Sequence, residues 1–246
     1  MRKTGLIMVL AALIAGVAGW LLRRQEVATV FNPYTGLAEP WAPISIILMG
    51  VSAAVLILFF LLSRTISGEQ ASAFHGAFGG GVLGPVPLTL LGIAIAALST
   101  QEGAETLRDW IWVIGAFLSG LCLINMALRG LRGRTVAIAS VVPVLWLCLW
   151  LVFSYIDQAT NPTLLGYIYY FFALAGLILG LYYLAGFAFE QGRAKALLFT
   201  SSAAAYFVGV TMGDDHSLAR RGILLALALI LLIYQLLFTK NLTGER

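Results

Sequence analysis

The sequence predicts an all-α integral membrane protein: an eight-helix transmembrane bundle forming one polytopic domain over residues 1–246. Two observations predict it. Hydrophobic residues make up 61% of the chain and charged residues only 11%, whereas a soluble domain carries about 25% charged residues. Eight apolar stretches, at roughly 5–22, 44–62, 82–98, 110–128, 136–156, 163–189, 196–212 and 222–238, hold no Asp, Glu, Lys, Arg or His. About 18 such residues suffice to cross the hydrocarbon core. Backbone groups in lipid must be satisfied within the segment, so each stretch is expected as a helix. A barrel would alternate apolar and polar residues instead.

The first stretch follows Met1-Arg2-Lys3-Thr4 and has the look of a secretory leader, with Gly16-Val17-Ala18 as a small-x-small cleavage site. Its apolar run continues through Trp20-Leu21-Leu22, so a retained signal anchor is expected, ending at Arg23-Arg24. The second stretch is an uninterrupted run bounded by Pro43 and Arg64.

The third opens with an unusual segment, His75 to Pro87. Gly79 to Gly84 matches G-x-G-x-x-G in form, but the strand and the later acid of a dinucleotide site are missing. Gly76, Gly80 and Gly84 recur every four residues, a spacing that lets helices approach closely. Pro85 and Pro87 remove backbone donors. Either they start a packed helix, or they break one where it lines a cavity.

The fourth and fifth stretches carry Cys122 and Cys148, which read as small packing residues. The sixth is about 27 residues long, so it is expected to tilt or protrude. The seventh carries Thr200-Ser201-Ser202 and the eighth Gln235. Such groups commonly hydrogen-bond across helices.

Three echoes suggest a four-plus-four parallel repeat, with halves 1–128 and 129–246. Asn32-Pro33 and Asn161-Pro162 precede spans two and six, Glu69-Gln70 and Glu190-Gln191 follow them, and acids precede spans four and eight. Ordinary turn and helix-start preferences give the same echoes without repetition.

Charge sets the orientation. Ten basic residues fall in the tails and even-numbered connectors and five in the odd-numbered ones. The positive-inside rule then places both termini in the cytoplasm, with a bacterial-type plasma membrane as the expected location. Eight of the eleven acids fall on the outer side.

Few residues offer chemistry. The cavity candidates are Gly84, Pro85 and Pro87, the in-span amides Asn125 and Gln235, and an outer group of Asp157, Asn161, Tyr167 and Tyr170. Tyr167 and Tyr170 share a helix face at i, i+3, although an interfacial aromatic belt accounts for them equally. Asp214-Asp215-His216 is a weak metal candidate, with Arg220 and Arg221 close enough in sequence to pair with its acids. Asp215 or Ser217 is an alternative cap for the last helix.

The blank spans weigh against several classes. Proton relays and ion-coupled transport usually place ionisable groups in the membrane. A zinc protease needs His-Glu-x-x-His, and the chain has two histidines on opposite predicted sides. No catalytic residue set and no cofactor is expected, and nucleic acid is not an expected partner.

Three functions remain. The first is a permease or membrane component for a neutral or lipid-like substrate. The second is a non-catalytic anchor subunit held by another membrane protein or by its own copies. The third is a membrane enzyme acting on lipid through Asp214, Asp215 and His216.

Overall fold

The computed structural model describes residues 2–32, 35, 37–39, 41–66, 85–99, 107–129, 134–159 and 163–241. They form α1 (Arg2–Val30), α2 (Pro43–Arg64), α3 (Pro85–Ser99), α4 (Leu107–Arg129), α5 (Arg134–Gln158), α6 (Ile168–Ala188), α7 (Ala194–Thr211) and α8 (Leu218–Asn241). A short 3-10 turn, Leu164–Gly166, leads into α6. Seven of the helices are long and apolar enough to cross a membrane, and the apolar part of α3, Pro85–Ala96, is shorter. The chain is a polytopic helical membrane protein.

Three boundaries differ from expectation. α1 does not end at Arg23. It runs on through Arg24 and Glu26 to Val30, because Arg23 and Glu26 pair at i, i+3 along the helix. The expected 27-residue sixth span divides: its first residues form the 3-10 turn, and α6 proper has 21 residues. That is about 32 Å of helix, close to the hydrocarbon thickness without marked tilt. α3 begins at Pro85, and proline suits a first helical position, where its missing N–H has no intrahelical partner to lose. Gly84 and the preceding glycines lie outside the described residues.

Contacts at the two ends give each helix its direction. At one end, Arg23 of α1 reaches Asp214 and Gly166, and Arg108 of α4 pairs with Asp157 of α5. We call this the Arg23 face. At the other end, the Phe60 ring meets Phe199 at 6.2 Å and Phe187 meets Phe238 at 5.5 Å. α1, α5 and α7 therefore run toward the Arg23 face, and α2, α4, α6 and α8 away from it.

α7 is the centre. It packs against α1, α2, α6 and α8. Its composition permits this: Ala203, Ala204, Ala205 and Gly209 let neighbours approach at backbone distance. A Cβ on Gly176 of α6 would lie 2.9 Å from the Ala204 Cα, and one on Gly209 would lie 2.6 Å from the Gly16 Cα. Some α7 hydroxyls turn back to their own helix, as Ser201 does in donating to the Leu197 carbonyl at 2.6 Å. Others link α7 to its neighbours: Tyr206 to Ser52 of α2 at 2.8 Å, and Ser202 to Gln235 of α8 at 3.1–3.2 Å. On the far flank Trp112, Trp146 and Trp150 cluster with centroids 5.2–6.4 Å apart.

Candidate functional site

The chemistry of the described residues concentrates at the Arg23 face. Arg23 is 1% exposed and Glu26 0%. The Arg23 Nε donates to Asp214 Oδ1 at 2.5 Å, its Nη1 to Glu26 Oε2 at 2.7 Å, and its Nη2 to the Gly166 carbonyl at 3.3 Å. The guanidinium also lies over the Tyr169 ring, 5.2 Å from its centroid. One side chain of α1 thereby ties down the start of α6 and the end of α7. The geometry is of the strong, charge-assisted kind.

Two carboxylates share one hydrogen-bonded guanidinium, and Arg221 acts on Asp214 only through its field. Glu26 Oε1, Asp214 Oδ2 and His216 Nε2 are buried without a hydrogen-bond partner among the described residues. His216 Nε2 stands 3.9 Å from Asp214 Oδ2, and its ring rests against Tyr170 at 4.4 Å between centroids. Burial pushes the Asp214 carboxyl up to about 6 despite the opposing pull of Arg23. Burial, then the nearby Arg220, Arg221 and Arg23 charges, pushes the His216 imidazole down to about 4. At neutral pH the imidazole is uncharged, so its contact with Asp214 is not an ion pair.

Beside this cluster a lateral groove of about 310 Å³ opens toward lipid. Gly16, Val17 and Trp20 of α1 form one wall, Gly209 and Met212 of α7 the floor, and Leu225 of α8 the other wall. At Gly209 the floor is bare backbone, in close contact with Gly16.

The chain matches no family model, no curated protein and no solved structure.

The described sequence-predicted residues do not meet in one cavity. Pro85 and Pro87 start α3, and Asn125 sits in the last turns of α4, both at the end away from the Arg23 face. Gln235 is fully buried and bonded to Ser202. Tyr167 stacks on Phe171 at 5.1 Å. Tyr170 is buried, with its hydroxyl 3.4 Å from Ser154. Asp157 is held by Arg108, while Asn161 lies outside the described residues. Asp214 takes Arg23 as its partner, not the expected Arg220 or Arg221; Arg23 lies beside it because α1 and α7 run in parallel. Asp215 is exposed. The two carboxylates Asp157 and Asp214 thus answer to different arginines. Among the described residues no group of three or more His, Cys, Asp or Glu is arranged to hold a metal ion.

Two cavities lie elsewhere. One of about 30 Å³ sits among Thr89, Gly92, Ser119, Gly120 and Leu227. The other, about 400 Å³, lies between α5 and α6 toward the opposite face, beside Tyr182, Tyr183 and Arg193.

Reading by span missed Arg23, Glu26 and the groove. The signal for the first two was present. Val27-Ala28-Thr29-Val30-Phe31 resumes the apolar run after the charges, and Arg23–Glu26 has helical spacing. The groove had no signal of its own, because Gly16 and Gly209 are 193 positions apart.

Proposed function

We propose that this chain is a membrane component that takes a lipid-like substrate sideways from the bilayer. The observation that carries the reading is the lateral groove over Gly16 and Gly209, set against a filled centre. Leu197, Leu198, Ala204, Tyr206, Val208, Leu224 and Leu231 of α7 and α8 are all buried there. A lipid-like substrate with an apolar chain suits such a groove, since ligand pockets are mostly apolar with few polar anchors.

We read the chain as eight crossings with both termini cytoplasmic. The direction of α3 supports this. Its Ile95 meets Gly222 and its Gly92 meets Ala226, so α3 runs antiparallel to α8 and toward the Arg23 face. α2 ends on the opposite face, and a crossing by α3 keeps the order consistent. The four-plus-four relation has partial support: α1–α2 matches α5–α6 and α3–α4 matches α7–α8 as neighbouring pairs. The central position of α7 has no such match in α3.

Vesicles carrying a fluorescent phosphatidylcholine in both leaflets test the reading. An added membrane-impermeant reductant bleaches the outer leaflet alone. With the protein present, bleaching is expected to run past that level. Unchanged protection, with folded protein in the vesicles, would reject translocation. Labelling single cysteines introduced at Arg132 and Asp157 should find them on opposite sides.

The anchor-subunit reading rests on α2, which among the described residues packs mainly on α1 and α7 and exposes Ile46, Ile57, Phe60 and Leu61. Purification in mild detergent would then recover a stoichiometric membrane partner.

A further inference from the structure

We propose that the groove between α1, α7 and α8 binds one acyl chain of an anionic phospholipid, with Arg24 and Arg221 holding its phosphate. This rests on the lateral-substrate reading above and names the class of lipid.

The groove and a single leaflet match in depth. Along one face of α1 come Ala12, Gly16, Trp20 and Arg24, each about one turn beyond the last. Ala12 to Trp20 line the groove and span about 12 Å of helix. One leaflet contributes roughly 15 Å of hydrocarbon, so the groove takes most of a single leaflet's depth and no more. Trp20 ends the apolar part, and tryptophan favours the level where acyl chain gives way to headgroup. Arg24 stands about 6 Å further out, within the 5–8 Å that the headgroup layer of one leaflet occupies.

The second arginine comes from the opposite wall. Leu225 lines the groove on α8, and Arg221 precedes it by one turn. Arg221 acts electrostatically on Asp214 and, together with Arg220, on His216, while Arg220 also acts on Asp157 and Tyr170. Of the two, Arg221 is the one whose charge reaches Asp214 at the end of α7. Its Nε is buried without an acceptor among the described residues, and Arg24 is exposed. Asp214, the acid on which Arg221 acts, is already held by Arg23 at 2.5 Å. Two guanidinium groups at the mouth of an apolar slot are complementary to a phosphodiester with a chain below it, and Arg suits phosphate geometry better than Lys does. The apolar lining accepts a methylene chain without a polar demand.

Trp20 is a built-in reporter. The protein is placed in phosphatidylcholine vesicles containing a minor fraction of brominated phosphatidylglycerol or, separately, brominated phosphatidylcholine. Trp20 emission is isolated by difference from Trp20→Phe. Phosphatidylglycerol is expected to quench Trp20 with about fivefold or greater preference, the effect of one arginine near a membrane surface. Arg24→Gln with Arg221→Gln should bring that preference close to one. Val17→Phe, which narrows the groove, should lower quenching by both lipids. Equal quenching by the two lipids in the parent protein, still reduced by Val17→Phe, would overturn the headgroup assignment and leave the lateral groove standing. Quenching that Val17→Phe does not alter would show that no chain enters, and both readings would fall. A preference kept by the double glutamine variant would remove Arg24 and Arg221 from the site.

Discussion

Arg23 and Asp214 lie 191 positions apart in sequence and 2.5 Å apart in space, each almost fully buried. Their pairing fastens the first helix to the end of the seventh. Because Glu26 shares the same guanidinium, the pair is one edge of an unbalanced triad. That imbalance governs how the site answers to mutation.

Arg23→Ala leaves two buried carboxylates facing each other. The expected loss is about 3–5 kcal/mol, the usual result of removing one partner of a buried pair. Asp214→Asn keeps an acceptor for Arg23 and removes one of the two negative charges, so its loss should stay below about 2 kcal/mol. Asp157→Asn breaks the half-exposed pair with Arg108 and should cost about 0–1 kcal/mol. Thermal unfolding in detergent measures the order. An Asp214→Asn protein less stable than Arg23→Ala would contradict the triad.

The same site sets two opposed pH responses. Asp214 is raised from 3.8 to about 6. The folded state thus holds an extra proton between those values, and this contribution is full below about pH 4 and lost as pH rises through 6. His216 is lowered from 6.5 to about 4. Its contribution is full above about 6.5 and is lost as pH falls toward 4. The two oppose each other between pH 4 and 6. His216→Gln should therefore make the protein gain stability on acidification from pH 6.5 to 4.5 relative to the parent, and Asp214→Asn should make it lose stability. Parallel curves for both variants would exclude these assignments.

Helix approach at Gly209 can be tested against an internal control. A Cβ there would sit 2.6 Å from the Gly16 Cα, whereas one on Gly50 would meet nothing within 4 Å. Gly209→Ala should cost about 1–3 kcal/mol through forced separation of α1 and α7. Gly50→Ala should be neutral or stabilising by up to about 1 kcal/mol, since alanine favours the helix. Comparing their unfolding midpoints is sufficient, and equal midpoints would deny the close contact.

The Ser52–Tyr206 link joins α2 to α7 through hydroxyls 2.8 Å apart. A double-mutant cycle with Ser52→Ala and Tyr206→Phe should return a coupling near 0.6 kcal/mol, and below about 1.7 kcal/mol, as for other hydrogen bonds between membrane helices. Strict additivity would mean that the hydroxyls do not interact.

The spans were legible because an unbroken apolar run has one stable form in lipid, the helix. The same rule misplaced the end of α1. Arg23 and Glu26 look like connector residues in isolation, and only Asp214, almost a whole chain away, makes their burial tolerable. The start of α6 was misread for a related reason: Thr163 to Tyr167 are apolar enough for a helix, but they form a turn whose Gly166 carbonyl is taken by Arg23. Tyr170 was picked from its helical spacing, yet its partner His216 comes from another loop. Sites assembled from distant residues leave no local pattern.

The packing of α1 on α7 sets an order for biogenesis. Synthesis delivers α1 well before α7, with five helices between them. Until the end of α7 arrives, Arg23 lacks its Asp214 partner, and the small-residue seam at Gly16 has nothing to close upon. α1 must wait in the bilayer through the insertion of five other helices. Ribosome stalling or truncation before Asp214 would thus strand a charged helix, and such fragments are natural prey for membrane quality-control proteases.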